Sequence, residues 1–206
     1  ERARATRLRE IAHRTRFVGV RGWLRTMLAA YLDDAPANLR FTYGSHGKPA
    51  IASRNPPDLR FNLSHSADVA LLAVTRGREV GVDVELRRGG KLRLAERFFA
   101  ADEVARLRSL PADEQERAFY RCWTRKEAFV KARGEGLSLP LRRFSVTLGP
   151  DEPPAILRVE GDSREVTRWS VHALPEIPGY AAALLVEAPI RSPRCWHWRA
   201  RPAGQS

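Results

Sequence analysis

Val80-Gly81-Val82-Asp83-Val84-Glu85-Leu86 alternates apolar and acidic residues with the two-residue period of a β-strand. In an extended chain Val82 and Val84 point to one side, and Asp83 and Glu85 project together from the other. The stretch predicts a strand with one face in a core and a pair of carboxylates on the opposite face. Two like charges side by side repel unless a cation stands between them. Mg²⁺ is a common answer, because it takes one or two carboxylates together with substrate phosphates. Taken alone, Gly81 to Glu85 is explained more economically as a half-buried strand with a solvated face, since short motifs recur by accident.

The strand sits where the pattern of the chain changes. Upstream, Phe17, Val20, Leu24, Met27, Leu28 and Tyr31 form an apolar stripe that predicts a helix over Phe17 to Leu32. Phe41 to Tyr43 reads as a short strand, Gly44 to Pro49 as a turn and Ser53 to Asp58 as a loop. Phe61 to Leu63 and Val69 to Val74 read as strands around a polar turn, Ser64 to Asp68. Downstream, Leu92 to Leu110 is helical with a cap expected at Asp102, and Asp113 to Arg133 is a long helix ending at Gly134. Strands are expected at Phe144 to Leu148, Ala155 to Val159, Trp169 to Ala173 and Tyr180 to Glu187. Both halves read as helices followed by strands, an α+β pattern. The boundary falls at Gly77 to Val80, giving an N-terminal half, 1–79, and a C-terminal half, 80–206.

Composition narrows the class. The 206 residues, 43% hydrophobic and 29% charged, can form a hydrophobic core and are unlike a disordered chain. Two cysteines, Cys122 and Cys195, are too few for a disulfide framework and suit a reduced, cytoplasmic protein. The longest apolar run, Tyr180 to Val186, is far short of a membrane span. The sequence opens on a charged stretch without Met, which suggests a segment upstream. Its formal net charge of +12 points to anionic partners.

A second constellation is Trp123-Thr124-Arg125-Lys126-Glu127-Ala128-Phe129-Val130-Lys131. Glu127 and Lys131 are four apart, on one helix face, as in any exposed ion pair. Lys126 adds a second cation, and a carboxylate flanked by two lysines suits a metal-bound polyphosphate. A third is Phe61-Asn62-Leu63-Ser64-His65-Ser66, where a His and hydroxyls on a turn could bind phosphate. A fourth is Gly47-Lys48-Pro49, by itself a turn with a surface lysine. Walker A, dinucleotide-fingerprint and zinc spacings are all missing.

These blocks, in this order, together with Phe98-Phe99, Glu103 and Gly136-Leu137-Ser138-Leu139-Pro140-Leu141, resemble Sfp-type 4′-phosphopantetheinyl transferases of the holo-carrier-protein synthase superfamily. The resemblance runs from about His13 to Val146, with an echo at Pro178-Gly179-Tyr180-Ala181-Ala182-Ala183. It implies an α+β fold of two similar subdomains related by a pseudo-two-fold, with coenzyme A between them. It implies transfer of the 4′-phosphopantetheine arm of coenzyme A to a serine of an apo acyl or peptidyl carrier protein, giving holo-carrier and 3′,5′-ADP. By resemblance, Asp83, Glu85 and Glu127 hold Mg²⁺, or Mn²⁺, and the catalytic residues are Asp83, Glu127 as base and Lys131 at the leaving group. Lys126 would contact the pyrophosphate, Lys48 and Pro49 flank the adenine, and His65 and Arg14 contact the 3′-phosphate, with Ser64 also on phosphate. Arg2 stands where a further 3′-phosphate contact is expected. The implied partner is an acidic carrier domain, with no membrane or nucleic acid, and the implied state a pseudo-dimeric monomer.

Two rival readings use the same residues. A Mg²⁺-dependent nuclease or phosphodiesterase also needs clustered carboxylates and a basic surface, but Arg87 stands where a lysine is usual after the strand. A nucleic-acid-binding module would want basic residues among exposed aromatics, and only Trp196-His197-Trp198 offers them; tryptophans there read as packing residues. Within the family, a small trimeric holo-synthase would be about half this length.

Overall fold

The computed structural model describes residues 11–52, 58–189 and 192–198. The expectations placed on Arg2, on most of the Ser53 to Asp58 loop and on the end of the tail lie outside these residues. Helix α1 spans Ile11–Leu32, one and a half turns longer at its start than the apolar stripe indicates. It lays Leu24, Leu28 and Ala29 against Leu39, Leu59 and Phe61. The Arg25 guanidinium ties its far end down by donating to the carbonyls of Pro36 and Leu39. A hairpin of β1 (Phe41–Tyr43) and β2 (Pro49–Ile51) follows.

Next come β3 (Leu59–Ser66) and β4 (Val69–Arg76), an antiparallel pair whose register closes at Ser66 opposite Val69. The expected five-residue turn is therefore only Ala67-Asp68, and Ser64 and His65 lie in the strand. The two-residue connection holds Ala67 at φ +46°, as tight hairpins require at such positions. The consequence is alternation: Asn62 and Ser64 are buried while His65, next after Ser64, is exposed.

The second half is built around strand β5 (Val80–Leu86) and the 22-residue helix α4 (Ala112–Arg133), with α2 (Arg93–Phe98) and α3 (Ala101–Ser109) between them. The single helix expected over Leu92 to Leu110 is broken because Phe99 and Ala100 are extended. Asp102 does not cap it; instead Glu103 accepts the Ala100 N–H at 2.8 Å. Helix α4 carries Asp113 and Glu114 in its first turn and Lys131 and Arg133 in its last, matching its dipole, and Gly134 ends it in the left-handed conformation.

A hairpin of β6 (Phe144–Val146) and β7 (Ile156–Val159), a one-turn α5 (Glu165–Arg168), β8 (Trp169–Ala173) and β9 (Tyr180–Glu187) complete the chain. Strand order in the main sheet is β5-β9-β8, all antiparallel. Val80 and Val82 pack with Leu184 and Val186 on one face of this sheet. On the other face Ala183 and Leu185 meet α4 through Ala128, Phe129 and Ala132. The tryptophans of the tail are not core residues: Trp196 and Trp198 are exposed, the latter leaning on Trp23.

Candidate active site

Gly81 is what brings helix α4 onto strand β5. A Cβ at this position would stand 2.5 Å from the Ala132 nitrogen and closer still to the Ala128 carbonyl. Helix and strand thus touch backbone to backbone. That approach lowers Glu127 and Lys131, the sequence neighbours of Ala128 and Ala132, to the level of Asp83 and Glu85. Across the sheet Asp83 pairs with Ala183 and Glu85 with Ala181, and these small residues leave space beneath the helix for the carboxylates. The sequence expectation of a solvated acidic face is corrected here: Asp83 is 3% exposed.

Strand β3 lies along the free edge of β5 without a backbone ladder. Its side chains take the place of carbonyls: Asn62 Oδ1 accepts the Val82 N–H at 2.8 Å, Ser64 Oγ the Val84 N–H at 3.3 Å and Ser66 Oγ the Leu86 N–H at 3.0 Å. Spacing by two keeps all three on the edge-facing side. The two hydroxyls also address the carboxylates. Ser64 donates to Asp83 Oδ1 at 2.9 Å and Ser66 to Glu85 Oε2 at 3.1 Å. The Lys131 ammonium donates to Asp83 Oδ1 at 2.6 Å, to Ser64 Oγ at 2.9 Å and to the Val82 carbonyl at 3.4 Å. Its partner is Asp83, not the Glu127 one turn away.

The electrostatics are those of a crowded acidic pocket. Burial raises the pKa of Asp83 above the usual value, more than Lys131 and the Ser64 hydrogen bond lower it, and Glu85 adds to the rise. Glu127 is raised first by burial, then by the charges of Asp83 and Glu85, against the pull of Lys131. Asp83 Oδ2 is buried and has no hydrogen-bond partner. Among the described residues no three His, Cys, Asp or Glu side chains form a ready-made metal cage. The donor set nevertheless fits a hard divalent cation: carboxylate oxygens that repel one another, and one orphaned oxygen wanting a positive charge. The histidine is poised differently. Desolvation, then Lys131 and Arg21, hold His65 below its usual pKa, with Glu85 opposing.

The structure brings together Asp83, Glu85, Glu127, Lys131, Ser64 and His65. Lys126, expected at the pyrophosphate, is not brought to this cluster. Its ammonium is wholly buried on the other side of α4, ion-paired with Glu103 Oε2 at 2.7 Å and donating to the carbonyls of Leu141 and Phe144. Three donors and three acceptors leave nothing for a ligand. Ser64 Oγ donates to Asp83 and accepts from the Val84 N–H and the Lys131 ammonium, so it ties the two charged groups together. Lys48 reaches across to Glu79 Oε2 at 2.7 Å and to the Ala132 carbonyl at the end of α4, leaving its stem and Pro49 half-buried at the surface. Arg14 lies exposed near the start of α1. Seven residues on, and so on the same helix face, Arg21 is the α1 cation felt by His65; that heptad spacing was the overlooked signal. Asn62 and Ser66 lie within the motif, but the sequence places Asn62 in a strand and Ser66 in a turn, which hides the edge they share.

The sequence profile of the 4′-phosphopantetheinyl transferase superfamily matches residues 79–185. The chain belongs to this superfamily. It is similar to the 4′-phosphopantetheinyl transferase HetI of Nostoc sp., 39% identical over 201 residues, covering 96% of this chain and 81% of that protein. A putative 4′-phosphopantetheinyl transferase of Synechocystis sp. is 38% identical over 85% of this chain and 70% of its own length. The 4′-phosphopantetheinyl transferase Sfp of Bacillus subtilis is 36% identical over 73% of this chain and 65% of its own. Among solved structures, the holo-[acyl-carrier-protein] synthase of Thermotoga maritima matches 53% of this chain and 62% of its own at a TM-score of 0.43 and 24% identity.

Proposed function

We propose that this chain transfers the 4′-phosphopantetheine moiety of coenzyme A to a serine of an apo acyl or peptidyl carrier protein, leaving holo-carrier and 3′,5′-ADP. The observation that carries the assignment of the site is the cluster of Asp83, Glu85, Glu127 and Lys131 at the seam of β3, β5 and α4, with a buried carboxylate oxygen left without a partner. The nuclease and nucleic-acid readings have no support among the relatives.

Asp83, Glu85 and Glu127 would hold Mg²⁺, which supplies charge neutralisation to a pyrophosphate. The rest of the chemistry belongs to the side chains. The serine Oγ bonds to the β-phosphorus of coenzyme A, the bond from that phosphorus to the bridging oxygen breaks, and the electron pair leaves with 3′,5′-ADP. The serine proton goes to Glu127, the carboxylate that α4 sets beside Asp83 and Glu85. Lys131 faces the phosphate charge from the Asp83 side and offsets the negative charge that grows on the leaving oxygen. Ser64 holds Lys131 and Asp83 in register. His65 and Arg14, with Arg21 beside them, make the basic wall for the 3′-phosphate; Lys48 and Pro49 form an apolar-stemmed edge for the adenine.

In this reading residues 1–79 and 80–206 are two halves that close on the substrate. No helix among the described residues is long and apolar enough to cross a membrane, and the enzyme acts in the cytoplasm as a monomer on acidic carriers. A net charge of +12 favours that encounter. The test is intact-mass analysis of an apo carrier protein incubated with this chain, coenzyme A and Mg²⁺. Addition of one phosphopantetheine, lost with EDTA or with Glu127→Gln, is the expected result. Unmodified carrier across several apo acyl and peptidyl carriers, with folded protein, would refute it.

A further inference from the structure

Alongside α4 lies a second concavity of about 220 Å³. Arg117, Arg121 and Arg125 line one wall from successive turns of α4, and Arg87 closes it from just past the end of β5. Ala181 and Ala182 of β9 line its floor, and Leu174, Pro175, Glu176 and Ile177 of the β8–β9 connection its rim. No step of the transfer uses any of these residues.

The charges of this pocket are not balanced. Arg121 pairs with Glu114 at 2.6 Å, and Arg117 approaches the same carboxylate at 3.5 Å. Arg125 is 6% exposed, yet it forms no ion pair among the described residues and donates only to Thr147, at its carbonyl and, at 2.9 Å, its hydroxyl. Burial, then the charge of Arg121, pull its pKa down to about 10. Arg87 is half-buried, and its guanidinium makes no hydrogen bond or ion pair among the described residues; only its backbone N–H is used, donating to the Gly179 carbonyl. Glu176 stands exposed on the rim and pairs with none of the four. Gathering guanidinium groups around a concave space costs free energy unless an anion enters it.

We propose that this pocket binds a small phosphate-bearing anion. Planar guanidinium forks match phosphate oxygens bidentately, and four of them around one space suit a doubly or triply charged group better than a single carboxylate. The volume is smaller than the roughly 300–1,000 Å³ of pockets that enclose drug-sized ligands, so the occupant is a compact anion or the phosphorylated end of a small metabolite. Because Arg87 follows Glu85 by two residues, just past the end of β5, and Arg125 precedes Glu127 by two on α4, an anion here sits against both elements that carry the catalytic carboxylates. The site goes beyond the transfer reaction and does not depend on it.

Isothermal titration of the full chain in magnesium-free buffer, with and without saturating coenzyme A, tests this. Pyrophosphate and a sugar phosphate are the two probes, so that a free anion is distinguished from an ester. We expect one equivalent of at least one probe to bind whether or not coenzyme A is present. Arg87→Ala should weaken it by on the order of tenfold or more, the loss of one charge-assisted hydrogen bond. Glu176→Gln should tighten it by removing a like charge at the rim. Both variants should keep the parental melting temperature, since neither side chain has a partner to lose. No binding of either probe, binding abolished by coenzyme A, or binding unchanged in Arg87→Ala would overturn the proposal.

Discussion

Replacing Lys126 with Met separates two roles that a lysine beside Glu127 can have. In the structure its ammonium is fully buried and satisfies Glu103 Oε2, the Leu141 carbonyl and the Phe144 carbonyl. Glu103 in turn accepts the N–H of Ala100 and of Val146, at 2.8 Å each, so one ion pair joins α3, α4 and β6. Met fills the volume of the stem but leaves a buried carboxylate without its cation and two carbonyls without donors. Breaking one side of a buried pair costs about 3–5 kcal/mol. For a chain of this size each kcal/mol lowers the melting temperature by about 2–4 °C, so a fall of roughly 6–20 °C is expected. Adding Glu103→Gln removes the stranded charge and should recover part of the loss, a coupling of at least about 1 kcal/mol in the double-mutant cycle. Thermal unfolding read by circular dichroism measures both, with coenzyme A affinity measured on whatever remains folded. A Lys126→Met protein that melts normally but binds coenzyme A at least about tenfold more weakly would refute the structural role and return Lys126 to the pyrophosphate.

Other outcomes follow from the same geometry. Gly81→Ala should prevent stable folding, because its Cβ would meet the backbone of α4 at Ala128 and Ala132; a soluble-expression and melting assay decides this. Ser64→Ala removes the hydroxyl that serves Asp83, Lys131 and Val84, and should cost about 1–3 kcal/mol together with most of kcat. In the metal-free protein, burial and the charges of Asp83 and Glu85 hold the proton of Glu127 more tightly than that of an ordinary glutamate. The same raised pKa sets the stability sign. Asp83 and Glu127 bind protons more tightly folded than unfolded, so their favourable contribution is present below the unfolded pKa and lost as pH rises through the folded one. Metal-free Glu127→Gln should therefore melt higher than the parent at neutral pH while transferring nothing.

Much of this was legible in the chain itself. Strand β5, helix α4 with its Gly134 stop, and strands β8 and β9 follow from local periodicity and punctuation, which need no partner to be read. The order of the motif blocks identified the family, and the pairing of Asp83 with Glu85 on one side of a strand is fixed by the two-residue period alone. Which side of α4 each residue serves could not be read. Lys126 and Lys131 both neighbour Glu127 in sequence, yet one neutralises Glu103 in the core and the other Asp83 in the site. Only the contact at Gly81 sets the rotation of the helix that separates them. The same holds for β3. Polarity at Ser64 and Ser66 suggests a turn, because their true partners, the free N–H groups of a strand twenty residues away, exist only once β5 lies alongside. Local sequence determined the elements and the chemistry available; long-range packing decided which charges meet, because burial and the distance between groups far apart in the chain are properties of the folded molecule alone.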